Sequence, residues 1–256
     1  LNTTSTRRAN AIAFDIREAG RTIVENGLKM NKPGSLKSVK AIGWFIEEYG
    51  IAQISINLTN INVTPVHIAF DEVCKKADSR GIRVTGSELV GLIPLKAMLD
   101  AGKYFLKKQH RSTGVSEKEL IKIAVKSLGL DELGPFKPEE KIIEYMLKEK
   151  KGNQLVSMPL TDFADETASE SPAPGGGSIS AYVGSLGISL GTMVANLSSH
   201  KKGWDDRWEE FSNWAEKGQQ YKNELLRLVD EDTRAFNQIM AAMGLPKGTD
   251  EEKTAR

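Results

Sequence analysis

The stretch SESPAPGGGSIS, at residues 169–180, opens a long predicted helix. Gly175, Gly176 and Gly177 stand just before that helix, although adjacent glycines lose more chain entropy on folding than other residues. A helix N-terminus carries amide groups without intrahelical partners, and a backbone without Cβ atoms lets a ligand approach them closely. A domain linker, a ligand-binding loop and a tight structural turn all fit this pattern. The loop lacks the lysine of a Walker motif, and no strand precedes it, which excludes a dinucleotide fingerprint.

The helix that follows carries small residues at steps of four, three, four and four. They are Ser180, Gly184, Gly187, Gly191 and Ala195. This spacing places them on one helical face, where small side chains let a second helix approach closely. We therefore expect this face to be a packing surface, and residues 178–199 to form one helix of an all-helical second half.

A second long helix is predicted over residues 204–243, and it carries one acidic side chain in an apolar stripe. The stripe runs Leu225, Leu228, Asp232, Ala235 and Ile239. A carboxylate that faces inward is costly unless it is paired, hydrogen-bonded or neutralised. Two interpretations of Asp232 remain open: a structural residue held by a lysine or arginine, and a general acid or base.

The first half mixes strands and helices. The predicted order over residues 1–90 is strand, helix (6–20, its stripe continuing to Ile23), two strands (39–46 and 52–58), helix (from Pro65), strand (82–86). That order is typical of the split βαβ arrangement, so we predict an α+β ferredoxin-like subdomain followed by an all-α domain, a partial helical bundle. Further helices are predicted over 94–107, from Ser116 to Gly129, and after Pro138. The predicted domains are 1–148, a linker at 149–157, and 158–256.

Composition excludes several function classes. A net charge of +1 gives no reason to expect nucleic acid or an anionic membrane as partner. No apolar run is expected to approach the length of a membrane span. The single cysteine, Cys74, fits a reducing cytosol, and no cluster has metal-ligand spacing, so no metal is expected. Since the chain starts at Leu1 and stops in a charged stretch, we expect a piece of a longer protein.

Three long segments resemble the bifunctional formimidoyltransferase-cyclodeaminase family. They read RVTGSELVGLIPLKAMLDAGKYF (83–105), LGLDELGPFKPEEKIIEYML (128–147) and ESPAPGGGSISAYVGSLGISLGTMVANLS (170–198). The resemblance runs end to end and in order. It implies that residues 1–148 are the C-terminal subdomain of a transferase, and that 158–256 are the first half of a cyclodeaminase.

The resemblance implies a cytoplasmic, folate-dependent enzyme of histidine degradation. Its transferase moves a formimino group from N-formimino-L-glutamate to tetrahydrofolate, and its cyclodeaminase closes 5,10-methenyltetrahydrofolate with release of ammonia. The family's acid/base aspartate falls on Asp232 here, and the glycine loop with Ser178 is then a candidate floor for the folate. The family assembles through its helical domain, which implies a homo-oligomer. Because the family's catalytic histidine lies in an N-terminal transferase subdomain, we expect this chain to lack that subdomain and to be inactive as a transferase.

Two other hypotheses stay open at this point. One is a glutamate formimidoyltransferase whose helical domain serves only as a structural or oligomerisation module. The other is a non-catalytic scaffold that assembles through the face carrying Gly184, Gly187 and Gly191.

Overall fold

The computed structural model describes residues 1–147, 154–246 and 248, which form two compact units. The first unit comprises residues 1–109 and 117–147, and the second comprises 110–116 and 148–256. Small antiparallel sheets followed by a helical region confirm the coarse fold prediction. The domain limits stay a prediction, because residues 149–153 of the expected linker lie outside the described residues.

The first unit places four helices of two turns or more around short antiparallel strand pairs. In chain order its elements are α1 (Thr6–Ile16), β1 (Arg21–Glu25), β2 (Leu28–Lys32), β3 (Val39–Ile46), β4 (Ile51–Leu58), α2 (Val66–Asp78), α3 (Leu95–Lys108), α4 (Glu117–Leu128), α5 (Pro138–Lys141) and α6 (Ile143–Met146). The hairpin of β3 and β4 was predicted, and it turns at Gly50 with a φ of +63°. One core lies between α1, α2 and this hairpin, and a second lies between α3, α4 and Ile142.

The predicted stripe of α1 is wrong beyond Ile16. Gly20 adopts a φ of +60°, and the chain then enters a hairpin of β1 and β2 that the sequence analysis missed. Every residue of this hairpin is partly or fully exposed, so neither strand has the buried side of a half-buried sheet. The Asn26-Gly27 turn carried the usable signal, because both residues have positive φ, as a tight hairpin turn requires.

The strand predicted at residues 82–86 does not form a regular strand in the structure. Arg83 instead exchanges hydrogen bonds with Asn2 alone: its carbonyl accepts from the Asn2 amide at 3.0 Å, and its own amide donates to the Asn2 side chain at 2.7 Å. On its other side, the N-terminal segment pairs with β4, where the Ala52 amide donates to the Thr3 carbonyl at 2.7 Å. These isolated bonds do not make a continuous ladder.

The regular elements in the described part of the second unit are all helical. Its elements are a 3-10 turn (Leu155–Ser157), α7 (Leu160–Thr167), α8 (Gly176–Ser198), a 3-10 turn (Asp205–Arg207) and α9 (Trp208–Met243). The expectation that no apolar run approaches a membrane span is wrong for α8. This helix has 23 residues with a mean hydropathy of 1.3, so it passes by length and composition, as the core helices of soluble proteins also do.

The face that α8 buries differs in part from the predicted one. The residues with almost no exposure are Ser178, Ser185, Thr192 and Ser199, which recur every seven residues. Of the predicted stripe, Ala195 is buried and Gly184 lies against Leu225 of α9, whereas Gly187 and Gly191 have open space around them among the described residues, so the predicted packing surface is confirmed only in part. Small hydroxyl residues can be buried against α9 because their hydroxyl groups bond to carbonyls of their own helix, as Thr192 does to Ile188 at 2.8 Å.

Candidate active site

The glycine loop and Asp232, which lie 54 residues apart in the sequence, meet at the first turn of α8. The Ser178 amide donates to Oδ2 of Asp232 at 2.8 Å, and the Ser178 hydroxyl lies 3.0 Å from the same oxygen. The carboxylate from α9 therefore caps the N-terminus of α8. Such a position suits an anion, because the first-turn amides are unpaired and the helix dipole is positive there.

Gly177 is the glycine that this contact requires. A Cβ atom at this position would lie 2.3 Å from Oδ1 and 2.6 Å from Cγ of Asp232. Such separations are far inside van der Waals contact, so any larger residue would displace the carboxylate. Tight approach of a neighbouring helix thus accounts for Gly177.

Gly175 and Gly176 have a different environment, since a Cβ atom at either position would meet nothing within 4 Å. Gly176 and Gly177 are exposed, and α8 has no side-chain cap at Gly175. The first-turn amides of Gly176 and Gly177 have no partner within the helix, and both residues are exposed beside Asp232. The structure brings together all five residues predicted for the site, while their roles in binding and catalysis stay predictions.

Asp232 itself is exposed, so the prediction that it lies on a buried stripe is wrong. The stripe fails because Val229, one turn earlier, is the buried residue of this part of α9, with no exposed area, while Ile239 of the stripe is 54% exposed. Within residues 1–147 and 154–246, no lysine or arginine forms an ion pair with Asp232. Amide and hydroxyl donors hold it instead, which answers the alternative of a basic partner.

The neighbouring acidic residues of α9 are engaged elsewhere. Arg227 forms ion pairs with Glu224 at 2.7 Å and with Glu231, and its hydrogen bond lowers the pKa of Glu224. Asp230 accepts the Leu155 amide at 2.8 Å and so anchors the end of the expected linker. Asp232 is consequently the acidic residue of this segment whose carboxylate is held at the glycine loop.

The sequence did not indicate two polar partners of Ser178, the Val229 carbonyl and the Thr233 hydroxyl. The Ser178 hydroxyl lies 2.8 Å from the Val229 carbonyl and 3.1 Å from the Thr233 hydroxyl. Ser178 is fully buried, although it was expected to face a ligand. The seven-residue recurrence of Ser178, Ser185, Thr192 and Ser199 was the signal that could have indicated burial.

Other chemically interesting groups lie in the first unit. A cavity of about 520 Å³ is lined by Asp71, Cys74, Tyr104 and Lys108 among others. The Tyr104 hydroxyl donates to Asp71 at 2.5 Å, which raises the pKa of Tyr104 to about 12, and burial raises the pKa of Cys74. Neither group is poised to react near neutral pH. Across the described ranges, no group of three or more His, Cys, Asp or Glu residues is placed to hold a metal ion.

Comparison with known proteins divides the chain in two. Residues 1–148 match the model described as formiminotransferase domain, and residues 159–256 match the model described as formiminotransferase-cyclodeaminase. A formimidoyltransferase-cyclodeaminase of Gallus gallus is 44% identical over 97% of this chain and 44% of its own length. One of Sus scrofa is 39% identical over 100% of this chain and 46% of its own length.

A third relative is smaller. A methenyltetrahydrofolate cyclohydrolase of Methylorubrum extorquens is 40% identical over 105 residues, which are 41% of this chain and 49% of that protein. The chain thus spans less than half the length of each of these three relatives.

These matches correct one expectation. We expected the chain to lack the N-terminal transferase subdomain and therefore to be inactive as a transferase; the match over residues 1–148 shows that it carries the formiminotransferase domain, so that expectation is wrong. The second match adds the cyclodeaminase region to the same chain. With the formiminotransferase domain model covering more than half of its length, and the formiminotransferase-cyclodeaminase model matching residues 159–256, the chain belongs to the formiminotransferase-cyclodeaminase family.

Proposed function

We propose that the second unit takes part in closing the ring of 5-formiminotetrahydrofolate to 5,10-methenyltetrahydrofolate, with release of ammonia. The observation that carries this proposal is the carboxylate of Asp232, held at 2.8 Å by the Ser178 amide beside the exposed residues Gly176 and Gly177. A fixed carboxylate next to unpaired donors supplies both a proton acceptor and a place for a polar ligand atom. The relatives' names supply the substrate class.

The chemistry asks for one group that first accepts and then returns a proton. N10 of the folate attacks the carbon of the protonated formimino group and loses its own proton to Asp232. Asp232 then delivers that proton to the nitrogen that leaves as ammonia, and the carboxylate is regenerated. Proton transfer by a positioned side chain contributes roughly a hundredfold to ten-thousandfold to such a reaction.

The folate is proposed to rest on Gly175, Gly176 and the first turn of α8. Amide groups there can donate to carbonyl or carboxylate oxygens, because no earlier helical residue uses them. Phe236 lies one turn beyond Asp232 on α9 and is 37% exposed, so it offers an aromatic face to a flat ring system. Lys201 is a candidate for binding the glutamate tail, and its ammonium lies 4.4 Å from the Trp204 ring centre.

For the first unit we propose the partner reaction, transfer of the formimino group from N-formimino-L-glutamate to tetrahydrofolate. The match to the formiminotransferase domain supports this assignment. We also propose a ferredoxin-like order for residues 1–86, in which the N-terminal segment lies between β4 and residues 82–84. The bonds from the Ala52 amide to Thr3 and from the Asn2 amide to Arg83 support that order.

We further propose that the chain works in the cytosol as a homo-oligomer, without nucleic acid or membrane as partner. Its single cysteine and net charge of +1 are compatible with this setting. Assembly through the second unit would cover the exposed apolar side chains of α8, namely Val183, Leu186, Leu190, Met193, Val194 and Leu197. Sedimentation of the complete protein tests the oligomer.

The central test compares three acidic neighbours on α9 in the complete protein. Asp232→Asn should abolish formation of methenyltetrahydrofolate while formimino transfer persists. Asp230→Asn and Glu231→Gln should keep ring closure within about threefold, because those carboxylates bond to Leu155 and Arg227 instead. Ring closure at an undiminished rate in Asp232→Asn would exclude the assigned role.

A second candidate function comes from the cyclohydrolase relative. A site with the same aspartate could hydrolyse methenyltetrahydrofolate. In that reaction water adds to the carbon atom from which the cyclodeaminase reaction expels the formimino nitrogen. Supplying the two substrates separately distinguishes the candidates. Ammonia release from 5-formiminotetrahydrofolate supports the cyclodeaminase, whereas consumption of methenyltetrahydrofolate without ammonia supports the hydrolase.

A further inference from the structure

Ser178 differs from the other buried hydroxyl residues of α8. Ser185, Thr192 and Ser199 each donate to a carbonyl of α8 itself, at 2.7, 2.8 and 2.8 Å. Ser178 lies in the first helical turn and has its oxygen neighbours on α9 instead. Its hydroxyl is therefore the member of this buried series that connects the two helices.

Three oxygen atoms lie within hydrogen-bond distance of that hydroxyl. They are the Val229 carbonyl at 2.8 Å, Oδ2 of Asp232 at 3.0 Å and the Thr233 hydroxyl at 3.1 Å. The carbonyl and an ionised carboxylate can only accept, whereas the Thr233 hydroxyl can donate or accept. When the Thr233 hydroxyl donates to the Ser178 oxygen, the Ser178 hydrogen bonds to either Val229 or Asp232, and an ionised Asp232 is the stronger acceptor.

We propose that Ser178 is a positioning residue for Asp232, and that its hydroxyl turns between Asp232 and the Val229 carbonyl as the carboxylate gains and loses its proton. This inference rests on the proposed function of Asp232 as the acid/base group. Oδ2 is held by the Ser178 amide and hydroxyl, which leaves Oδ1 to exchange the proton with the substrate.

The proton balance follows from these contacts. While Asp232 is ionised, the Ser178 hydroxyl donates to Oδ2, and the Thr233 hydroxyl donates to the Ser178 oxygen. When Oδ1 takes the proton from N10, Oδ2 becomes a weaker acceptor, and the Ser178 hydrogen turns to the Val229 carbonyl. Delivery of the proton to the leaving nitrogen restores the first arrangement, so the Ser178 hydrogen never leaves its oxygen.

Burial makes this arrangement specific to Ser178. The side chain has no exposed area, so water does not compete for its hydrogen, whereas Asp232 is exposed to the substrate side. A buried hydroxyl beside an exposed carboxylate can respond to the charge without exchanging with solvent.

The test uses the complete protein and a matched pair of serine variants. Ser178→Ala removes the hydroxyl but keeps the amide that donates to Oδ2. Ser185→Ala removes an equally buried hydroxyl of the same helix that bonds only to the Tyr182 carbonyl. Steady-state rates of methenyltetrahydrofolate formation are measured across pH for both, beside Asp232→Asn, with thermal unfolding as a check of folding.

For Ser178→Ala we expect kcat to fall about tenfold with KM within about twofold, because the carboxylate loses a donor that fixes its orientation while the groups proposed to bind the folate are unchanged. The acidic limb of the rate–pH profile should move to higher pH, since the ionised carboxylate loses a donor. Ser185→Ala should leave both the rate and the profile unchanged. Thr233→Val should lower kcat by less than Ser178→Ala does and should move the acidic limb of the profile in the same direction. Thr233→Ser should restore both the rate and the profile.

Three results would overturn the positioning role. Ser178→Ala could have the same kcat and pH profile as Ser185→Ala, it could change KM alone, or it could lose rate without any shift of its pH profile. If Ser178→Ala fails to fold, the Thr233 pair decides the question by the same profile. Activity that persists in Asp232→Asn refutes the proposed function itself. An inactive Asp232→Asn with a fully active Ser178→Ala refutes only the role of Ser178.

Discussion

Gly177→Ala is the sharpest perturbation that the site offers. Its Cβ atom would lie 2.3 Å from Oδ1 of Asp232. Ordinary contact requires about 3.4 Å or more, so the carboxylate must move by roughly 1 Å. Since the obstructing atoms end a flexible side chain rather than belong to the backbone, the helix can form while Asp232 is displaced.

The expected result is a loss of ring closure with little loss of stability. A displacement of that size in a catalytic group can cost about a hundredfold in rate. Alanine within the first turn also favours the helix over glycine by up to about 1 kcal/mol, which offsets local strain. Appearance of methenyltetrahydrofolate and release of ammonia measure the rate, and thermal unfolding measures stability.

The neighbouring glycines supply the control. Gly176→Ala introduces the same methyl group one residue earlier, where nothing lies within 4 Å. We expect it to retain ring closure within about threefold, and to be equal or slightly higher in stability. Equal activity in Gly177→Ala and Gly176→Ala would refute the idea that Gly177 is required by the carboxylate. Equal loss in both would indicate that the loop serves the ligand rather than Asp232.

Three further predictions concern stability. Ser212→Ala should destabilise the second unit by about 1–3 kcal/mol in urea unfolding, because the buried Thr113 amide loses the hydroxyl that accepts its hydrogen bond at 2.9 Å. Ser199→Ala is the control, because it loses only a hydroxyl bond to the Asn196 carbonyl. Gly43→Ala should cost about 2 kcal/mol or more, because its Cβ would lie 2.3 Å from the Asn10 backbone nitrogen, whereas Gly134→Ala has open space and should cost far less. Burial lowers the pKa of His67, so the unfolded chain binds the proton more readily than the folded chain, and the free energy of unfolding should fall as the pH drops below 6.5. His67→Phe should flatten this pH dependence between about pH 5 and about pH 8. An unchanged slope would contradict the prediction.

Much of the helical framework was predictable because its signals are local. The stop at Gly81, the start after Pro94 and the long helices of the second half follow from caps, breakers and periodicity, and the structure reproduces them within a few residues. The β3–β4 hairpin was predictable because its apolar residues alternate around Gly50. By contrast, β1 and β2 were missed because they bury almost nothing, so only their Asn-Gly turn distinguishes them from a loop.

The buried faces of the long helices were predicted only in part for a related reason. Glycine spacing and apolar spacing both satisfied a helical period, yet α8 and α9 meet through Ser178, Thr192, Gly218 and Val229. On the α8 side of this contact, small hydroxyl residues are buried despite their polarity, and Ser185, Thr192 and Ser199 bond to carbonyls of α8 itself. Helical periodicity alone does not indicate which of several small-residue faces is covered by a partner helix.

The sequence by itself determined the family, the helix limits of the second half and the two segments of interest, the glycine loop and the acidic turn of α9. These features depend on residue identity and spacing within a few turns of chain. Only the tertiary structure decided that the two segments touch, that Asp232 is held by Ser178 rather than by a basic side chain, and that one glycine of three has a carboxylate against it. The reason is physical: those facts depend on the distance between two helices whose contacting residues lie 54 positions apart, and no local preference encodes that distance.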